Sequence, residues 1–197
     1  IDMDTIENEN LKKYAKNINE QTKHLSQTIE DFRNFFIPNK KKSTFTLKNS
    51  IDKTMSLLIA SFKTHNIEVV EDIEDISIIA LENELTQAFL NIIKNSKDIL
   101  ITLPKGCRKL IFINIYQKEN NIIIEIKDNG GGIPENIKEK IFEPYFTTKH
   151  KSQGTGIGLY MSKDIVHGKF NGILEVENLE WKHNNNIFYG ACFIIEI

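Results

Sequence analysis

The chain has 197 residues, with 25 Lys and Arg against 27 Asp and Glu and a formal net charge of −2. That balance leaves no basic excess to grip a phosphate backbone, so nucleic acid is not an expected partner. The residues are 40% apolar and 26% charged, as in soluble globular proteins, and no apolar run approaches the roughly 20 residues that span a bilayer.

The chain begins Ile1-Asp2-Met3-Asp4. This is neither a signal peptide nor an initiating Met, so the expectation is a cytoplasmic piece of a longer protein. Residues 5 to 37 read as one long helix without internal Pro or Gly. Leu11, Tyr14, Ile18, Leu25, Phe32 and Phe35 fall on a heptad stripe, with Gln21 and Thr28 as weak points and Ile29 and Phe36 widening it. Six such side chains, at about 1.5–3 kcal/mol each, demand a covering partner, and self-association through residues 5 to 36 is expected. Pro38 ends the helix, and Asn39-Lys40-Lys41-Lys42-Ser43 is a basic linker.

Thr44 to Leu47 reads as a short strand, and Asn49 or Ser50 as the cap of a helix to about Thr64. Strands are expected at Ile67 to Glu71 and Ile76 to Ala80, and a helix from Glu82 to about Leu100. Leu110 to Tyr116 and Ile122 to Lys127 read as a hairpin around residues 117 to 121. Residues 128 to 155 are irregular, with a helical turn near 135 to 141. A helix is expected from Gly156 to His167, then strands at Ile173 to Glu177 and Tyr189 to Ile197, with Asn184-Asn185-Asn186 in a hairpin loop. Strands mixed with helices, without strict alternation, imply an α+β fold with helices on one face of a sheet. Cys107 and Cys192 have no metal-ligand spacing and read as reduced thiols, Cys192 in the core.

Four segments carry chemistry. On the helix from Glu82, Glu84, Gln87, Asn91, Asn95 and Asp98 form one polar face, with Leu85, Phe89, Ile92, Ile93 and Ile99 as apolar flanks. Amides one turn apart beside a carboxylate offer oxygens to a hard cation such as magnesium; the same pattern also describes a plain amphipathic helix. The strand ending at Asp128 runs into Asn129-Gly130-Gly131-Gly132-Ile133-Pro134. A carboxylate there can accept a hydrogen bond from an exocyclic amine, and glycines let backbone approach a flat ring; Asp-Asn-Gly alone also makes a tight turn. Gly154-Thr155-Gly156-Ile157-Gly158-Leu159 opens a helix and offers backbone N–H groups to an anion, yet it has neither the dinucleotide fingerprint nor the P-loop ending. Between the glycine clusters, Phe142-Glu143-Pro144-Tyr145-Phe146-Thr147-Thr148-Lys149 combines aromatic anchors with a cation.

In order and spacing these segments resemble the N, G1, F and G2 boxes of the sensor histidine kinase catalytic domain, in the GHKL ATPase superfamily. The resemblance covers about residues 44 to 197. It implies the Bergerat fold, a two-layer α/β sandwich with a mixed sheet and helices on one face, preceded by the long helix. It implies ATP and magnesium as cofactors. Asn95 would hold magnesium, Asn91 would assist at the phosphates, and Lys149 would join them as the third catalytic residue. Asp128 would hold the adenine amino group, with Gly130 and Gly132 shaping the base pocket. Residues 135 to 153 would form a lid, and Gly154, Gly156 and Gly158 would bind phosphate. The implied nucleotide contacts also include Asp98, Ile133, Phe142, Tyr145, Phe146, Thr148, Thr155, Ile157 and Leu159.

Thr28 to Phe36 resembles the second helix of the dimerisation and phosphotransfer domain. The implied division is residues 1 to 38 for that helix, 39 to 43 for the linker and 44 to 197 for the catalytic domain. The implied partners are a second copy of the chain and a response-regulator receiver domain, with no membrane contact by these residues. His24 lacks the acidic neighbour and nearby proline usual after a phospho-acceptor, so the acceptor helix is expected elsewhere. A gyrase- or chaperone-type ATPase would carry a Glu general base where Asn91 stands, and a degenerate docking domain would have lost its boxes.

Overall fold

The computed structural model describes residues 14–16, 18, 19, 22, 26, 41–149 and 154–197. Most of the expected long helix lies outside these. The described residues of that stretch are helical, and Tyr14 and Ile18 are exposed.

Strand β1 (Ser43–Thr46) pairs antiparallel with β3 (Ser77–Ala80) as a two-stranded sheet. Helix α1 (Leu47–His65) follows β1 directly. Its cap is Thr46, whose hydroxyl oxygen accepts from the Asn49 N–H at 3.2 Å, rather than Asn49 or Ser50. The helix starts early because Leu47 and Ile51 are both fully buried, and Ser50 lies buried within the helix. Asn66 ends it in the left-handed region, φ 53°.

The main sheet has the order β2 (Ile67–Ile73), β4 (Lys109–Lys118), β5 (Asn121–Asp128), β7 (Asn186–Glu196), β6 (Ile173–His183). Only β2 and β4 run parallel, so the sheet is mixed as expected. Helices α2 (Glu82–Ile101) and α3 (Gly158–Phe170) join α1 over one face. Period-two alternation supplies the sheet's side of the core: Ile111, Ile113 and Ile115 from β4, Ile124 and Ile126 from β5, and Phe193 and Ile195 from β7. Leu85, Phe89, Ile92 and Ile93 of α2 meet them with no exposed surface.

Three segments differ from the sequence reading. The β4–β5 hairpin closes tightly, with Glu119 at φ 56° and both strands longer than expected. The helical turn near 135 to 141 is two separate 3-10 turns, Glu135–Ile137 and Lys140–Phe142. The β6–β7 hairpin is much longer than expected, turning at Asn184 and Asn185, both at positive φ. Its far part folds over the helix-free face of the sheet. There Trp181 meets Phe112 edge-on at 5.5 Å, His183 meets it at 5.0 Å, and Phe188 lies at 6.3 Å. Cys192 is buried on that face too, and burial pushes its thiol up to about 12.

At Gly190 β7 crosses the end of β5 so closely that a Cβ would lie 1.7 Å from the Asp128 carbonyl oxygen. Gly190→Ala is expected to lower stability in urea unfolding by about 1–3 kcal/mol or more. Gly168→Ala, within α3 and with nothing within 4 Å of its new Cβ, is expected to raise stability by about 0.5–1 kcal/mol. Equal effects of the two would show that the close crossing is not rigid.

Candidate functional site

The site is built on the exposed edge of α2. Glu84, Gln87, Asn91, Asn95 and Asp98 all fall on one half-buried strip of the helix. Ile99, expected among the flanks against the sheet, is instead 41% exposed. It stands over the loop, where a Cβ on Gly130 would lie 2.6 Å from its Cγ2.

Asp128 ends β5 with only 2% of its surface exposed. Its Oδ1 accepts from the Gly130 N–H at 2.9 Å and its Oδ2 accepts from the Ser96 hydroxyl at 2.8 Å. Burial pushes its carboxyl up to about 6, against the pull of hydrogen bonds from Gly130, Ser96 and the Ala191 backbone. Ser96 is itself buried. Sequence reasoning passed it over, because a Ser one residue off the polar strip gives no signal of what it faces.

Asn129 does more than turn the chain. Its Oδ1 accepts from Leu110 N–H and its Nδ2 donates to the Arg108 carbonyl, both at 2.8 Å, so the start of the loop is fastened to β4. Gly132 has φ 81°, a conformation that favours glycine. Next to it, the Ile133 N–H donates to Asn178 Oδ1 at 2.8 Å, and Asn178 Nδ2 donates to the Ile133 carbonyl at 2.7 Å. Asn178, on β6, is a second residue that the sequence did not reveal.

Beyond Pro134, Phe142 packs partly buried against the core, with Lys163 Nζ 4.9 Å from its ring centre. Tyr145 points outward, 70% exposed, at φ 66°; Phe146 is half-buried and Thr148 exposed. Of the three aromatics, Phe142 is the one packed against the core.

Lys149 returns to α2. Its ammonium donates to Asp98 Oδ2 at 2.8 Å and to Asn95 Oδ1 at 3.1 Å. Lys97 pairs with the other Asp98 oxygen at 3.2 Å. The second glycine cluster lies alongside. Gly156, at φ 68°, has no room for a side chain, since a Cβ would lie 2.4 Å from the backbone carbon of Tyr145. Gly154 is close to Thr147, the Ile157 N–H donates to Thr155 Oγ1 at 3.3 Å, and Leu159 packs on the core. The α3 helix starts at Gly158, whose carbonyl accepts from Asn91 Nδ2 at 3.1 Å.

The structure therefore gathers Asn91, Asn95, Asp98, Lys149 and the 154–158 loop at one place, with Asp128, Gly130, Gly132 and Ile133 beside it, and leaves Tyr145 and Thr148 exposed. The arrangement offers a buried acceptor at one end, an oxygen pair already holding a cation in the middle, and a glycine-rich helix start at the other end. Those are the chemical needs of a base, a metal and phosphate groups. Among the described residues no group of three or more His, Cys, Asp and Glu could hold a metal by itself.

Comparison with known proteins places the chain in a family. Residues 80–197 match the model of the histidine kinase-, DNA gyrase B- and HSP90-like ATPases. Sporulation kinase A of Bacillus subtilis is 32% identical over 142 residues, covering 71% of this chain and 22% of the relative. Sporulation kinase E of the same organism is 34% identical over 131 residues, covering 66% of this chain and 17% of the relative. The chain thus spans less than a quarter of the length of these relatives. Among solved structures, the catalytic domain of histidine kinase ThkA superposes with a TM-score of 0.64 at 27% identity, covering 80% of this chain and 95% of that one. Full-length ShkA in complex with AMPPNP shares the fold, with a TM-score of 0.72 at 18% identity, covering 94% of this chain and 38% of that one. The chain belongs to the histidine kinase-, DNA gyrase B- and HSP90-like ATPase family, and within it carries the ATP-binding catalytic domain of a sensor histidine kinase.

Proposed function

We propose that residues 44–197 bind magnesium-ATP and transfer its γ-phosphoryl group to a histidine on a separate dimerisation helix, for onward transfer to a response-regulator aspartate. The observation that carries this reading is a buried carboxylate, Asp128 at the end of β5, set against the same helix whose Asn95 and Asp98 oxygens hold the Lys149 ammonium. Asp128 accepts the adenine amino group. Gly130, Gly132 and Ile133 line the base, and Gly154, Gly156 and Gly158 present backbone to the phosphates.

The Asn95 and Asp98 oxygens fit a magnesium ion, because they are hard ligands that hold the Lys149 ammonium in this structure. Asn95 would bind the ion, whose chemistry is to neutralise charge on the phosphate oxygens. Lys149, released from the pair, supplies a second positive charge there. What the chain itself contributes is positioning and electrostatics. Asn91 has no basic carboxylate and its amide is engaged with Gly158, which favours phosphotransfer over activation of water.

The proposal includes a boundary, with residues 1–38 in the dimerisation region and 39–43 as linker, and a homodimer formed through that helix. The exposed Tyr14 and Ile18 support it. Among the described residues no helix is long and apolar enough to cross a membrane, and we assign these residues to the cytoplasmic side.

The direct test supplies γ-labelled magnesium-ATP together with a dimerisation hairpin bearing the acceptor histidine. Acid-labile, base-stable label on that histidine is expected, and Asp128→Ala is expected to weaken ATP binding at least about tenfold. Rapid hydrolysis without any phosphoprotein would instead indicate an ATPase.

A pH dependence follows from Asp128. Adenine needs its ionised form, and its titration point is raised to about 6. One pH unit below that point only about a tenth remains ionised, so ATP affinity is expected to fall about tenfold by pH 5. Asp128→Asn should remove this component, which separates it from titration of the nucleotide. For folding the sign is different: a carboxyl whose point is raised in the folded state favours folding below pH 4, and loses that contribution as pH rises through 6. Wild type should lose stability over that window relative to Asp128→Asn in urea unfolding.

A further inference from the structure

Both polar atoms of the Asn178 carboxamide bond to the backbone of one residue. Ile133 gives its N–H to Asn178 Oδ1 and receives the Nδ2 donor on its carbonyl, at 2.8 and 2.7 Å. A side chain here does what a neighbouring strand does in a ladder. A weaker contact at 3.4 Å links Nδ2 to Glu135. Among the described residues, backbone hydrogen bonds within 134–146 are local to that segment: Ile137 to Pro134, Lys138 to Glu135, Glu143 to Lys140 and Phe146 to Glu143. Ile133 is therefore the last point at which the backbone is fastened to the body before the loop departs.

The platform behind Asn178 is firm. It stands on β6 opposite Ala191, and the same hairpin is clamped on the other face by Trp181 and Phe188 against Phe112. Gly132 leaves room for the clamp, since a Cβ there would lie 2.7 Å from Asn178 Oδ1. The short path from Asp128 to Ile133 is thus held at both ends: at Asp128 through Gly130 N–H, and at Ile133 through Asn178.

We infer that Asn178 is a positioning residue for nucleotide binding: its carboxamide fixes Ile133, and with it the path of Gly130–Gly132 past the base pocket. This rests on the reading of that pocket as the adenine site. Asn178 touches no reacting atom; it acts through Ile133.

Two variants test it. Asn178→Ala deletes both bonds. Asn178→Asp keeps the size and one acceptor but sets an anionic oxygen against the Ile133 carbonyl. Both are expected to weaken magnesium-ATP binding about five- to tenfold, the range of one or two lost hydrogen bonds. Both are also expected to speed exchange of the Ile133 amide proton at least about tenfold. Unchanged ATP affinity in Asn178→Asp, or Ile133 exchange at the wild-type rate in both variants, would overturn the inference while leaving ATP binding intact. A loss of thermal stability with normal affinity would equally overturn it, by making the role structural alone. Failure of the wild-type chain to bind magnesium-ATP would instead remove the underlying reading of the pocket.

Discussion

A carboxylate at the buried end of a central strand is costly unless donors reach it. Asp128 receives them from three separate parts of the chain: the Ser96 hydroxyl from α2, the Gly130 N–H from the loop, and the backbone of Ala191 from β7. Each donor constrains the segment that carries it. Ser96 facing Asp128 sets the roll of α2 about its axis. That roll turns Asn91, Asn95 and Asp98 away from the core and toward the loop. The Ala191 contact brings β7 against the strand end, and Gly190 is the residue that allows the crossing. Even so, the acid titrates near 6, not near its ordinary range. Its donors fall short of the water they replace, which leaves capacity for one more donor, such as an exocyclic amine.

The loop beside it is held by short polar contacts at intervals. Asn129 holds it to β4, Asn178 holds Ile133, Lys149 holds Asn95 and Asp98, and Asn91 holds the first turn of α3. The Lys149–Asp98 pair is about one-third exposed, so it adds little to stability. Its significance is electrostatic: a cation already rests where the ligand's metal and phosphates would meet the helix. In the proposed complex, binding would exchange one cation for another and leave the freed ammonium within reach of phosphate.

Much of this was legible in the sequence because it repeats with a period. The alternation of Ile111, Ile113 and Ile115 and the 3–4 spacing of the α2 strip each specify a face without knowledge of the rest of the fold. The glycine clusters were legible through chemistry, since Gly132 and Gly156 stand at positive φ. What could not be read depends on contacts distant in sequence. Ser96 lies 32 residues from Asp128, and Asn178 lies 45 from Ile133. The far half of β6 was not read as strand, although Leu179 and Trp181 alternate there with charged residues. Trp181 and Phe112 become partners only when the hairpin folds back across the sheet. The cap of α1 was misplaced by three residues or more because Thr46, Asn49 and Ser50 are all competent caps, and burial of Leu47 decided between them. Most of the heptad stripe before residue 38 lies outside the described residues.

The central claim is that base, metal and phosphates are bound along the exposed edge of α2. Mapping backbone amide resonances during titration with magnesium and a non-hydrolysable ATP analogue tests it most directly. The expected result is saturable shifts at Ser96, Ile99 and Gly130 from the base, and at Asn95, Gly156 and Gly158 from the metal and phosphates. Omitting magnesium should reduce the second group and spare the first. Shifts confined to the opposite face of the sheet, around Phe112 and Trp181, or none at all, would contradict the account.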